Sequence, residues 1–507
     1  MTSLNKPEMA AHGGGGGGGD RLSDLPDAVL TRILSHLPTD EAARTSALSR
    51  RWRRVHAAVP VVHLVDERTR RPRTVRDPVS FEQQVTCALL SRDAAAPIRA
   101  LRVSTLNPSA ALLDQWLLLA MSSGAEDIDV ALKGWNSFGR RLCPFVPVEG
   151  ASADFEDHVV LDGLPRRVFA GDGGSRLRCL RLTNCRLDLP SGDIRLASLE
   201  TLLLNRIIAA DGAVQRVISA SPRLADLTLE QCPSAREITV PSDCLRSLAV
   251  VCCHNLTRVA LRTRCLRALR YRGGLPGGES FLSLGACAEV TAVSVSICED
   301  LTGRTAAEAA PVAALLDRCT SLAFLHLSLR PSMTYLSRWF LGTAPWLPVL
   351  RRLELRGYVA GDHTVHGVAN VLQRTGSLEQ LSLFFRGPEL PKREYDFFSE
   401  RDSDYGSSNG EKIDYSCKVH VPKGPWKARI RCLQRGLRRI NVVDYRGRPF
   451  ERALMKLLLS KAELLNELAV IFDPKCAARD EMKGEMSSWL QNQRAKVTFA
   501  EGKDARY

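Results

Sequence analysis

No stretch of this 507-residue chain holds an apolar run of about 18 residues, the length a helix needs to cross a membrane. The opening MTSLNKPEMAAHGGGGGGGD has no apolar core of the secretory kind, and its seven glycines, Gly13 to Gly19, read as a flexible leader. Fifteen cysteines are present, but none falls into a zinc-like CxxC pair set. With no secretory route in view they are expected as reduced thiols, which places the chain in the nucleus or cytoplasm. The phosphate-cradling GxxxxGK[ST], the metal-binding HExxH and the nucleophile turn GxSxG are all missing. His363 and His366 stand three apart in DHTVHG without a third ligand and read as a surface turn. No catalytic residue, cofactor or metal is therefore expected. Concentrated charge is lacking too. The net charge is +14, yet the basic residues are scattered, with short runs only at Ser49 to Arg54 and Arg68 to Arg73. Diffuse charge reads as a solvated surface, and neither nucleic acid nor membrane is expected as a partner.

What is abundant is leucine at a fixed spacing. Leu177 to Leu187, LRCLRLTNCRL, fits the leucine-rich-repeat pattern L-x-x-L-x-L-x-x-N/C-x-L at every specified position. The three-aliphatic frame recurs at Leu199-Leu202-Leu204, Leu224-Leu227-Leu229, Leu245-Leu248-Val250, Leu322-Leu325-Leu327, Leu350-Leu353-Leu355 and Leu378-Leu381-Leu383. Weaker copies stand at Ile98-Leu101-Val103, Val290-Val293-Val295 and Leu437-Ile440-Val442. The last two aliphatics of each frame alternate like a strand with one buried face, so stacked copies predict a parallel sheet with a continuous core.

A second periodicity precedes some frames. Val214-Val217-Ile218, Val312-Leu315-Leu316, Val368-Val371-Leu372 and Met455-Leu458-Leu459 each place three aliphatics at i, i+3, i+4 before the next frame. That stripe is one face of a helix, so each full unit is expected to run helix, turn, strand. Cys185, Cys232 and Cys253 occupy the Asn/Cys position of the pattern and are expected to turn inward toward backbone. Gly387 to Ser416 is polar, acidic and without period, and reads as a disordered insertion. The expected organisation is a leader (1–19), N-terminal helices (20–60), a repeat solenoid (61–386), the insertion (387–430) and terminal repeats (431–507).

The N-terminal helices raise a separate question. LPDAVLTRILSHLP, Leu25 to Pro38, puts Val29, Leu30, Ile33, Leu34 and Leu37 on one broad face, with Asp27, Thr31, Arg32 and Ser35 opposite. Thr39-Asp40 offers a cap for a following helix carrying Ala42, Ala43, Ala47 and Leu48, and Trp52 and Val55 continue the apolar face. Two or three short helices within about 40 residues are too few for a stable core by themselves. Pattern alone allows them either to cap the solenoid or to meet another protein.

Asp20 to Val55, DRLSDLPDAVLTRILSHLPTDEAARTSALSRRWRRV, closely resembles the F-box of plant F-box/leucine-rich-repeat proteins. The carrying residues are Leu25-Pro26, Ile33-Leu34-Ser35, Leu37-Pro38, Ala42-Ala43, Arg44-Thr45-Ser46 and Leu48-Ser49-Arg50-Arg51-Trp52; where the family often follows Trp-Arg with Leu-Trp, this chain has Val55-His56. Cys432 to Phe499 resembles the FBD domain that often follows such repeats, through LRRINVVDYRGRPFERALMKLLL and AELLNELAVIF. The resemblance implies an α/β solenoid behind a short helical F-box bundle. It implies a non-catalytic substrate receptor of an SCF-type ubiquitin ligase, bound to a Skp-family adaptor and through it to a cullin and RING core. The implied adaptor contacts are Leu25, Pro26, Leu30, Ile33, Leu34, Leu37 and Pro38, with Trp52 expected in internal packing. Candidate contacts to an unknown target protein are the exposed positions of the repeats, Arg178, Arg181, Glu200, Asp226, Arg246, Glu354 and Glu379. The alternatives are a repeat scaffold without a ubiquitin role and a small-molecule sensor.

Overall fold

Stacked leucine frames become one parallel sheet of 15 strands in a computed structural model. The model describes residues 22, 24–66, 79–93, 96–106, 108–133, 143, 163–164, 166–169, 176–275, 281–284, 289–299, 306–332, 346–359, 361–385, 419, 421–422, 424–474, 476 and 478–501. The sheet starts with Val61–Val65, Ala100–Leu106, Asp127–Lys133, Cys179–Thr183 and Thr201–Asn205. It continues through Asp226–Glu230, Ser247–Val251, Ala268–Gly273, Ala292–Ile297 and Phe324–Ser332, and closes with Arg352–Tyr358, Gln380–Phe385, Arg439–Tyr445, Glu467–Phe472 and Lys496–Glu501. Spatial order follows chain order throughout, the signature of a solenoid in which each unit packs only on its neighbours. The leader, Arg68 to Arg73 and the insertion from Gly387 to Ser416 lie outside the described residues.

Both aliphatic positions of every frame named above face one core. Leu180 and Leu182, Leu202 and Leu204, Leu227 and Leu229, Leu353 and Leu355, and Leu381 and Leu383 are fully buried, and so are Ile440 and Val442 in a frame the sequence shows only weakly. Register is continuous from one edge of the sheet to the other. A single row runs His63, Arg102, Asp129, Arg181, Leu203, Thr228, Ala249, Arg270, Ser294, His326, Glu354, Ser382, Asn441, Ala469, Thr498 on the face turned away from the core. The period of two along each strand is what separates this row from the leucines.

Helices lie where the i, i+3, i+4 stripes predict them, at Ala213–Ser219, Ala306–Arg318, Asp362–Gln373 and Pro449–Leu459. The expected helix, turn, strand unit fails in the middle of the array. There the return path is a short second strand, Glu237–Val240, Arg258–Leu261 and Leu282–Leu284, and these three form their own parallel sheet. Main strands starting at Asp226, Ser247 and Ala268 are each 21 residues apart (226 to 247, 247 to 268). A return that short spans the unit in extended chain at about 3.3 Å per residue, where a helix at about 1.5 Å per residue falls short. Two further differences are local. His363 and His366 lie in the helix Asp362–Gln373 and not in a surface turn. The polar insertion ends before residue 430, because Trp426 and Ile430 are already buried in the core and Trp426 Nε1 donates to the Val365 carbonyl at 3.1 Å.

Each of several strands is turned by one residue in the left-handed region: Asn184, Arg206, Gln231, Cys252 and Asp444 have φ between 52° and 59°. That turn aims the next side chain inward. Cys185, Cys232 and Cys253, one position later in each case, are buried, and their thiols donate to strand carbonyls such as Thr183 O at 3.3 Å, Leu204 O at 3.3 Å and Leu229 O at 3.6 Å. At the C-terminal end aromatics replace leucine: Phe385, Tyr445, Phe472 and Phe499 follow one another with ring centroids 5.9 to 6.1 Å apart.

Two stability outcomes follow from these geometries. At Gln231, with φ of 52°, glycine is tolerated, while valine, whose β-branch crowds a left-handed backbone, lowers stability by about 1–2 kcal/mol relative to it; urea midpoints of Gln231→Gly and Gln231→Val separate the two. Tyr445 is fully buried and its hydroxyl has no hydrogen-bond partner among the described residues. Removing that hydroxyl in Tyr445→Phe raises stability by about 1 kcal/mol, since a buried unsatisfied hydroxyl carries a desolvation penalty of that order.

Candidate protein-docking surfaces

Three helices open the described chain: α1 (Asp27–Leu34), α2 (Thr39–Arg44) and α3 (Arg50–Ala57). Asp27 in the first turn of α1 favours the helix dipole, and Ser49 caps α3 by accepting from the Trp52 amide at 3.3 Å. Arg51 clamps α3 to the start of α1, donating to Asp27 Oδ1 at 2.8 Å and to the Leu25 carbonyl. Thr39 does not cap α2 with its side chain; its hydroxyl accepts instead from the His63 amide in the first strand at 2.7 Å.

These helices have their own small core of Leu30, Leu34, Ala42, Val55 and Val59, with Leu25, Leu37 and Trp52 packed against it. That cluster is distinct from the leucine core of the solenoid. The helices are joined to the repeats by polar contacts, the His63 amide to Thr39, the Asp93 amide to the Ala57 carbonyl at 3.2 Å, and the Arg92 guanidinium to the Val59 carbonyl. His56, between them, is pushed down by burial first and by the Arg92 charge second, which keeps its imidazole neutral near pH 7.

The broad apolar face expected for the first helix is divided. Leu30 and Leu34 are 0% and 3% exposed, so the expectation that they present open surface is corrected: they fill the space between α1 and α3. Val29 and Ile33, at 41% and 42%, point outward on the same stripe as the exposed Pro26, and Leu48, after α2, is 69% exposed. Leu25, Leu37 and Pro38 are half-buried. Val29 and Leu48 were placed on apolar faces but not among the expected contacts, because an amphipathic pattern reports that a helix has an apolar face and not which edge of that face a neighbour covers.

The second surface is the open face of the sheet. Arg181, Asp226 and Glu354 stand on its strands, whereas Arg178, Glu200, Arg246 and Glu379 lie one residue before a strand, along one rim. Several of the seven are engaged in cross-strand pairs. Arg178 meets Glu200 at 2.9 Å, Arg181 meets Asp127 at 2.9 Å, His326 meets Glu354 at 3.0 Å, and Arg351 meets Glu379 at 3.4 Å. Arg102 also holds Asp127, at 2.7 Å. Burial pushes the neighbouring Asp129 carboxyl up, with the Arg181 charge opposing the shift. Further along, Arg270, Arg272, Ser294, His326, Glu354 and Arg356 border a cavity of about 300 Å³ on the same face. Arg270, Arg272 and Arg356 were not singled out from the sequence; they are recognisable only as the alternate positions to buried leucines in successive frames.

Short interlocked helices ahead of a parallel leucine solenoid define the class: an F-box module followed by leucine-rich repeats. Comparison with known proteins gives the same division. An F-box domain model matches residues 22–55, and the model described as At1g61320/AtMIF1, LRR domain matches residues 162–326. Among relatives, the putative F-box/LRR-repeat protein At3g18150 of Arabidopsis thaliana is 25% identical over 386 residues, 72% of each chain. The putative F-box/LRR-repeat protein At5g41840 of the same plant is 27% identical over 41% of this chain and 37% of its own length. The MEIOTIC F-BOX protein MOF of Oryza sativa subsp. japonica is 32% identical over 41% of this chain and 40% of its own. This chain thus spans well under two thirds of several relatives that it matches.

The burial difference within α1 has a measurable consequence. Leu30→Ala opens a void in the F-box core and destabilises residues 24–59 by about 2–5 kcal/mol, while Ile33→Ala stays within about 0.5 kcal/mol; amide exchange of α1 and α3 reads both.

Proposed function

We propose that the chain is the substrate-recognition subunit of an SCF-type ubiquitin ligase. On this reading Pro26, Val29, Ile33 and Leu48 form the exposed part of a contact with a Skp-family adaptor, bordered by Leu25, Leu37 and Pro38. Leu30 and Leu34 hold that contact in shape from beneath. The adaptor connects the chain to a cullin and RING core, and the open face of the sheet holds a target protein. The observation that carries the reading is the F-box core: it is closed without help from the solenoid, yet leaves Val29 and Ile33 in solvent on one stripe. Val29 and Ile33 are 41% and 42% exposed and Leu48 69%, so covering them contributes roughly 0.4 to 0.7 of the about 1.5–3 kcal/mol of full burial each, which Pro26 and the bordering residues add to.

The chain supplies no reacting group in this scheme. Its contribution is proximity: a target lysine is held beside a ubiquitin thioester carried on another subunit, which turns a bimolecular encounter into a local one. Residues 431–507 act as FBD-like terminal repeats that close the C-terminal end of the array, and the chain works in the nucleus or cytoplasm. A small-molecule role has one observation in its favour, the arginine-bordered cavity of about 300 Å³, a volume at the lower end of ligand sites.

The test is adaptor capture with the full chain. Wild type retains a purified Skp-family adaptor, and the Val29→Asp/Ile33→Asp double variant loses it while its circular dichroism is unchanged. A folded wild type that retains no adaptor, or a double variant that still does, overturns the reading in favour of a repeat scaffold.

A further inference from the structure

Cys143, Cys252 and Cys298 are 109 and 46 residues apart in sequence (143 to 252, 252 to 298), yet all three thiol sulfurs lie within 4.8 Å of one another and all three residues are buried. They form a cluster of their own with Val251, apart from the leucine core. This is a different place from the inward-turned Cys185, Cys232 and Cys253. Cys252 is the left-handed residue that ends the strand Ser247–Val251, and Cys298 follows the strand Ala292–Ile297, two strands further on. The strand between them carries Gly273 and Gly274 at that level, the Cys252 amide donating to Arg272 O and the Cys298 amide to Gly273 O. The two thiols meet directly across that strand. Cys143 reaches them from ten residues beyond the strand Asp127–Lys133. That strand is four positions away in the sheet, a distance of about 19 Å at about 4.8 Å per strand.

We propose that these three thiolates bind a zinc ion, which ties Cys143 to the ends of the strands Ser247–Val251 and Ala292–Ile297. In tetrahedral zinc sites the metal–sulfur distance is about 2.3 Å, which sets sulfurs about 3.8 Å apart. The Sγ atoms of Cys252 and Cys298 are 3.9 Å apart, at the spacing of a shared metal and far from the roughly 2.05 Å of a disulfide. The surroundings suit the charge. Three thiolates on a divalent cation leave one net negative charge, and the Arg272 guanidinium lies against it, its Nε donating to Cys298 Sγ at 3.4 Å. Such donors to a ligating sulfur orient the ligand and strengthen the site. A fourth tetrahedral position is left for a solvent molecule. The site borders the arginine-lined cavity, with which it shares Arg272 and Cys298. The inference is independent of the ubiquitin-ligase reading.

Zinc content of the full-length chain, produced in zinc-supplemented medium and purified under reductant, tests this directly. Wild type carries one zinc per chain by elemental mass spectrometry, and so does Cys432→Ser, a control outside the cluster. Cys298→Ser and Cys143→Ser carry none, with circular dichroism reporting that each folds. Should Cys298→Ser fail to fold because its turn is disturbed, Cys143→Ser still decides, as Cys143 is not part of the sheet. Exchange of the zinc for Co²⁺ gives the thiolate-to-cobalt charge-transfer absorption of a tetrahedral sulfur site in wild type and not in the two variants. A wild type free of zinc and unable to take up Co²⁺, a Cys252–Cys298 disulfide in peptide maps, or zinc retained by a folded Cys143→Ser overturns the assignment.

Discussion

Register is the constraint on which the molecule rests. Fifteen parallel strands share one alignment through their leucine positions, shifting only toward the strand ends after Ser328 and Val442, so a slip of one residue there exchanges a buried leucine row for a row of arginine, aspartate and serine. The penalty is paid on both faces at once, which holds the strands in phase even where the returning segment changes from helix to short strand. A backbone pattern repeats the same alignment outside the strands. One carbonyl just ahead of each strand accepts two amides from the next unit, as Arg178 O does for Glu200 and Thr201, and Arg246 O for Arg267 and Ala268. Backbone and side chains thus specify the same stacking.

That alignment also composes the open face. Residues that are neighbours on it come from units 20 to 60 positions apart, as Arg102 and Asp129 do, or Ser382 and Asn441. Arg102 and Arg181 meet on Asp127 because three strands bring them there. Exposed pairs of this kind contribute little to stability individually. Their importance is in patterning: they settle which charges are already engaged and which remain for a partner.

The F-box module obeys a different economy. Its five-residue core is too small to hide every aliphatic side chain of α1, so one edge of the helix is covered and the other stays in water. Polar contacts to Thr39, Ala57 and Val59 fix the module against the first units without merging the two apolar cores. A surface left open in this way is available to a second protein without unfolding either part.

The leucine frames, the stripes that become helices, the inward cysteines at 185, 232 and 253 and the N-terminal helices, read as two or three, were all legible in the chain, because each is a local pattern whose period matches one element. The middle units were legible as strands but not as returns, since a 21-residue spacing states a length and not the conformation that fits it. The division of α1 into Leu30 and Leu34 inside and Val29 and Ile33 outside depends on where α3 lies. The meeting of Cys143, Cys252 and Cys298 has no local spacing at all; the stacking of units brings two of them to one level, and Cys143 joins them from far away in the chain. Periodicity is a property of neighbours along the chain, so the sequence by itself determined the solenoid and its core. Which side chains share a surface depends on residues far apart along the chain, and only the tertiary structure decided that.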